Sequence, residues 1–337
     1  MHHMKRVSYI YIALVFSLII ISISLTNCKK EENPVKFPKG TFPDTLINLS
    51  GINSAYDDYN IALYQICGSA PIVFSSNRKS SGGQFDLEQA NISFTFDQTN
   101  GDFELFNGMT SDAFLTSLIS KAETGGNDFG PFRQFSSLDG FEYFILSSEN
   151  EAGDMDLFYL RNLPVYNNNI PTIEGPFPVN LLNSNFNDAY LCLDLNQDSA
   201  YYISDRDGSY DIYMLQRPAE TELSTWFNSE YTSSVKVDSV NSTYNDKCPL
   251  VFKNIMIFAS DRQLGLGGFD LYYSVFKNGN WSSPVNLGPK INSAGNEYRP
   301  VVGYHTYFDN YFMMFSSDRA GGKGGFDLYF TGIEFPE

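Results

Sequence analysis

From residue 250 the chain alternates short apolar runs with clusters of glycine, asparagine and aspartate. The runs are Leu250–Phe252, Ile255–Ser260, Phe269–Phe276 and Trp281–Leu287. Short segments rich in aromatic and β-branched residues, bounded by turn formers, predict β-strands. Four of them in so short a stretch predict one four-stranded antiparallel unit.

The unit recurs. FASDRQLGLGGFDLYYS at 258–274 returns as FSSDRAGGKGGFDLYFT at 315–331, with weaker copies at 202–213, 73–87 and 144–159. The aspartates that align, Asp86, Asp156, Asp211, Asp270 and Asp327, are 70, 55, 59 and 57 residues apart. A second phrase precedes each copy: INSAYDDY at 52–59, LNSNFNDAY at 182–190, VNSTYNDKCP at 240–249 and INSAGNEYRP at 291–300, with GGNDFGP at 125–131 as the reduced fifth. Its aligned carboxylates are Asp58, Asp128, Asp188, Asp246 and Glu297. Repeats of this length with four strands each predict an all-β fold, a five-bladed β-propeller.

The ends of the chain bear on closure. The fifth unit stops after its third strand, while Phe42–Leu49 is similar to the fourth strands at 177–181 and 283–287. Residues 45–49 are therefore expected to complete the last blade and remove an unpaired edge. The long first interval contains Ser111–Ile119, which reads as a short capped helix, and a degenerate sixth blade is the other way to fill it. The glycines at 265, 267, 268, 321, 322, 324 and 325 are expected to give positive φ to the loop between the second and third strands.

Composition narrows the class. A formal charge of −17 argues against nucleic acid, whose phosphates need clustered Lys and Arg, and fits solubility or attraction for cations better. Lys5 and Arg6 precede an apolar run, Val7–Leu25, which reads as a secretory signal. Leu25-Thr26-Asn27-Cys28 resembles a bacterial lipobox, which implies acylation at Cys28, and Lys29–Glu32 looks like a surface-export signal of Bacteroidota lipoproteins. The expected layout is a signal peptide at 1–27, a flexible tether at 28–41 and one propeller at 42–337. Cys67, Cys192 and Cys248 sit in or beside apolar segments and read as small buried hydrophobes.

Ser-Asp-Arg followed by Gly-Gly-Phe-Asp-Leu-Tyr, with Trp281–Gly288 and Ile-Asn-Ser, resembles the WD-repeat-like propeller repeats of the TolB type, in the form found in envelope lipoproteins of Bacteroidota. The resemblance covers about residues 42 to 333 and departs from the pattern at Asn77 and at Glu149-Asn150. It implies an envelope-facing propeller, in the outer membrane or at the cell surface, that binds protein or glycan.

Little in the sequence points to catalysis. After the signal only His305 remains, and no nucleophile elbow, P-loop or metal motif occurs. The turn residues Arg78, Asp205-Arg206, Asp261-Arg262 and Asp318-Arg319, with the five Asp-Leu-Tyr aspartates, read as ties within each blade. The competing reading makes Asp58, Asp128, Asp188, Asp246 and Glu297 a ring at one channel mouth, attractive to calcium or to sugar hydroxyls. No cofactor is otherwise implied. A binding or scaffold module leads; the alternative is a glycan-active enzyme, which needs two carboxylates about 5 to 10 Å apart in a cleft.

Overall fold

The computed structural model describes residues 34–63, 69–164 and 171–336. The expected signal, Cys28 and Cys67 lie outside them. The chain forms five antiparallel sheets in ring order. Blade 1 comprises β2 (Asp58–Leu63), β3 (Ser69–Ser76), β4 (Asp86–Phe96) and β5 (Phe103–Met109). Blade 2 comprises β6 (Asp128–Phe135), β7 (Glu142–Glu149), β8 (Met155–Asn162) and β9 (Ile173–Pro178). In blade 3 the strands are β10 (Asp188–Leu193), β11 (Ser199–Ser204), β12 (Asp211–Gln216) and β13 (Val235–Lys236). Blade 4 holds β14 (Asp246–Phe252), β15 (Ile255–Ser260), β16 (Asp270–Lys277) and an outer edge split into β17 (Asn280–Trp281) and β18 (Val285–Asn286). Blade 5 is β19 (Glu297–Gly303), β20 (Tyr311–Ser317), β21 (Asp327–Ile333) and, from the other end of the sequence, β1 (Ile47–Asn48).

β1 pairs antiparallel with β21, Ile47 opposite Phe330 and Asn48 opposite Tyr329, and this closes the ring. Phe42 anchors the closing segment. Its ring stacks on Phe308 at 3.8 Å, and its backbone N–H and C=O both bond the Asn310 amide. The expected tether is docked where it is described: Lys36 and Phe37 donate backbone N–H groups to Gln98, and Gly40 to Tyr307.

The extra length of the first unit goes into the long β4–β5 hairpin and into helix α1 (Ala113–Ala122), capped by Asp112 accepting from Leu115 N–H. α1 packs its apolar face between blades 1 and 2. A second helix, α2 (Leu223–Phe227), which the sequence pattern did not suggest, lies in the connection of blade 3.

Apolar side chains form five clusters, one at each interface between neighbouring blades. Second strands such as β15 are buried at every position, because each blade is covered on both faces, so they read as continuous apolar runs.

Polar groups also join the blades. Asn53, Asn183, Asn241 and Asn292 each turn a side-chain amide against the preceding blade's third strand, where it accepts from one backbone N–H and donates to the same residue's C=O. The amide thus gives that N–H its partner and shares the C=O with a backbone N–H just past the fourth strand. Blade 2 has no such asparagine; Lys79 Nζ donates to Leu87 C=O instead.

Six of the seven loop glycines serve close approach, not positive φ. Only Gly321 lies in the left-handed region, at φ +92°, where blade 4 has Leu264 at +70°. A Cβ at Gly267 would lie 2.1 Å from Gly295 O, and one at Gly324 would lie 1.9 Å from Tyr56 O. The glycine loop of one blade presses on the connection leading into the next.

Replacing Asn292 by alanine leaves the buried N–H of Leu271 without a partner, while its C=O still accepts from Leu287 N–H, at a cost of about 2 kcal/mol. Urea denaturation should show that loss in the midpoint with an unchanged slope.

Candidate functional site

The five phrase carboxylates head the five inner strands, and all five are wholly buried. Asp58, Asp188, Asp246 and Glu297 each bond an arginine of the same blade, Arg78, Arg206, Arg262 and Arg319. Each also accepts the backbone N–H of the residue four positions earlier, for example Ser184 at 2.7 Å and Ser242 at 2.6 Å. The guanidinium lies over ring faces of its blade: Arg206 over Tyr213 at 4.6 Å, Arg262 over Tyr272 at 4.8 Å, Arg319 over Tyr329 at 5.1 Å. These oxygens are committed inside the blades and present no open charged ring to a cation. Among the described residues no group of three His, Cys, Asp or Glu side chains is placed to hold a metal ion.

The residue just before each carboxylate ties two blades. Asp57, Asn127, Asn187, Asn245 and Asn296 accept the N–H at the start of the preceding blade's third strand. The same five side chains pair with Asn77, Glu149, Asp205, Asp261 and Asp318 in their own blade. The sequence departure at Asn77 is thereby explained. Blade 1 exchanges the two partners, aspartate at 57 and asparagine at 77, and keeps the bond.

The Asp-Leu-Tyr aspartates close turns. Asp270 and Asp327 accept backbone N–H groups from Leu266 and Lys323 and side-chain amides from Asn286 and Asn48. Asp211 binds Lys236 at 2.6 Å, Asp156 accepts from Asn150, and Asp86 from Gln84.

The side chains that meet on the channel axis come from a feature that the repeat phrases do not show. Every inner strand carries a β-bulge, with one extra residue between Tyr59 and Ala62, Phe129 and Phe132, Ala189 and Cys192, Lys247 and Leu250, and Tyr298 and Val301. Two positions after the leading carboxylate, Asn60, Gly130, Tyr190, Cys248 and Arg299 take φ between +47° and +57°. Side-chain hydrogen bonds of two of them cross the channel, between blades that are not neighbours. Asn60 Nδ2 donates to Tyr190 Oη at 3.2 Å, joining blades 1 and 3. Arg299 Nη2 of blade 5 donates to Gly130 O at 3.2 Å and Pro131 O at 3.0 Å in blade 2, and its guanidinium carbon lies 5.7 Å from the Tyr190 ring centroid. Gly130 has to be glycine: any Cβ would lie 2.6 Å from the Tyr190 ring. Burial pushes the Cys248 thiol up to about 11, against the weaker opposing pull of Arg299, so it is a neutral group at physiological pH.

On the turn side of this ring, aromatic residues close the channel. Tyr59 packs against Phe326 at 4.9 Å and Tyr298 at 5.6 Å, and Phe85 against Phe129 at 5.0 Å. On the other side, at the hairpin ends of all five inner strands, a cavity of about 460 Å³ opens. Phe132, Phe252 and Tyr304 line it, Arg299 lies at its inner end, and Asp194 is its one carboxylate. Asp194 Oδ1 accepts from the Asp198 and Ser199 N–H groups, and burial holds its carboxyl above the ordinary value. The repeat phrases point to the turn face, whereas the axial cavity lies at the opposite face. The single clue in the sequence was the varied residue two places after each repeated carboxylate.

Blade 2 tests the carboxylate arrangement. It lacks the arginine, and Asp128 is held by Thr124 and by Ser148 Oγ at 2.5 Å. Burial raises the Asp128 carboxyl above its ordinary value, outweighing those hydrogen bonds. The folded state therefore keeps this proton to higher pH than the unfolded state does, and stability falls as pH rises from the ordinary aspartate range through the raised folded value. Asp128→Asn should remove that decline in a stability-against-pH series. Asp188→Asn, which weakens a buried pair with Arg206, should cost about 2 to 3 kcal/mol at neutral pH, more than Asp128→Asn.

No protein-family model matches the sequence, and no curated protein is significantly similar to it. Solved structures do share its architecture. A thermostable family-43 glycoside hydrolase superposes with a TM-score of 0.53 at 12% identity, covering 85% of this chain and 92% of the other. An α-L-arabinofuranosidase of Podospora anserina, solved in complex with cellotriose, gives 0.52 at 11%, covering 89% and 98%. An exo-1,5-α-L-arabinanase from a bovine ruminal metagenomic library gives 0.50 at 11%, covering 85% and 96%. These three are glycoside hydrolases. At such identities the likeness is one of fold, and the chain is a five-bladed β-propeller.

Proposed function

We propose that the protein is a lipid-anchored cell-envelope propeller that binds a glycan in its axial cavity without hydrolysing it. The lining of that cavity carries the reading. Aromatic side chains at Phe132, Phe252 and Tyr304 suit the apolar faces of sugar rings, and Tyr304 is 62% exposed. A two-carboxylate hydrolysis needs a second acid opposite the first, and Asp194 stands alone in the lining. That the named structural neighbours are glycoside hydrolases is in keeping with a glycan as occupant. The anchor is Cys28 after the apolar leader, which leaves the propeller in the outer membrane, facing the periplasm or the cell surface.

Calorimetric titration of the full chain with arabino-, xylo- and cello-oligosaccharides should give binding heat for at least one series, with no reducing ends released on prolonged incubation. Release of reducing ends that is lost in Asp194→Asn would replace this reading with the enzymatic one. Cells fed a fatty-acid probe should label the wild type and leave Cys28→Ala unlabelled and released from the membrane fraction.

A further inference from the structure

Arg299 is only 2% exposed, yet its Nε and Nη1 have no hydrogen-bond partner. Nη2 alone is engaged, by the two blade 2 carbonyls. An arginine carries five N–H donors and does not lose its charge in proteins, so three donors stand without a partner and the charge meets two carbonyls and the Tyr190 ring but no carboxylate. Burying an unpaired ion is among the costliest arrangements a fold can hold. The four arginines of the repeat turns, by contrast, all have a carboxylate. Asn60 Oδ1, in the same axial ring, is also buried and unpartnered.

The wider lining has the same sign. Arg133, Lys253 and Arg299 line the cavity with one carboxylate, Asp194, in a chain whose formal charge is −17, although the Arg133 guanidinium itself turns toward the Phe114 ring of α1. A strongly acidic protein that gathers cations around one cavity presents that cavity to an anion. The remaining walls, aliphatic and aromatic, would hold the uncharged part of such a ligand.

We propose that the cavity takes an acidic saccharide, its carboxylate placed at the cavity floor against Arg299 and its ring against Phe252 and Tyr304. This rests on the glycan-binding reading above and names the substrate class for it. The guanidinium supplies planar donors matched to a carboxylate, and Lys253, exposed at the rim, adds attraction on approach.

The test compares oligomers of glucuronate and galacturonate with neutral oligomers of matched length by calorimetry on the full chain, at low and high salt. The acidic series should bind about tenfold or more tightly, as a charge-assisted contact to a buried arginine implies. Arg299→Gln should bring acidic binding down to the level that the same variant shows for neutral oligomers, with folding checked by circular dichroism. Should Arg299→Gln not fold, Lys253→Glu at the exposed rim carries the test, through weakened acidic binding and a reduced salt dependence. Equal affinity for acidic and neutral oligomers, indifferent to both substitutions, overturns the acidic-saccharide site while glycan binding stands. Arg299-dependent binding of acetate with no saccharide bound overturns the glycan reading and keeps only an anion site.

Discussion

The buried carboxylate at the head of each inner strand is the constraint on which the rest of this propeller depends. A wholly desolvated carboxylate must be surrounded by donors, and each blade satisfies it in nearly the same way. The donors are a backbone N–H from the incoming connection, a serine or threonine hydroxyl, and in four blades an arginine stacked on that blade's own aromatics. Meeting that demand fixes where the incoming connection ends, where the second strand stops and how the following turn folds. The neighbouring residue, at 57, 127, 187, 245 or 296, then ties the same junction to the preceding blade. Blade geometry and ring geometry are set at one point.

Placing the fold's ionic machinery inside the blades leaves the axis free to vary. The bulge repeats five times because the inner strands must turn past one another where they crowd the channel. The residue that it presents does not repeat: asparagine, glycine, tyrosine, cysteine and arginine occupy equivalent places. Backbone strain of this kind costs on the order of 1 to 3 kcal/mol per non-glycine residue and persists only where the surroundings impose it. Architecture thus supplies the position, and the individual side chain supplies the chemistry, which is the usual division of labour between a fold and its site.

Much of the scaffold was legible before any coordinate. Repeated phrases gave the blade number, and the likeness of Phe42–Leu49 to later fourth strands gave the closure, which β1 and β21 realise. The helix after Ser111 was visible from its cap and apolar spacing. Boundaries were less visible. The first strand of blade 4 begins at Asp246, not Leu250, because the bulge at Cys248 breaks the alternation that marks a strand. The glycine clusters suggested positive φ, whereas most of them answer a contact with the next blade, and no local pattern carries that information.

By itself the sequence determined the unit, its number and its ring closure, because each repeat encodes its own strands, turns and ties through short-range spacing. It also implied the surface charge and the leader with Cys28. Tertiary structure alone decided which carboxylates are buried, since burial depends on five blades converging. It alone placed Arg299 against the carbonyls of Gly130 and Pro131, some 170 residues away in the chain. A residue's meaning on this axis comes from what the other blades put opposite it, and sequence spacing does not measure distance across a channel.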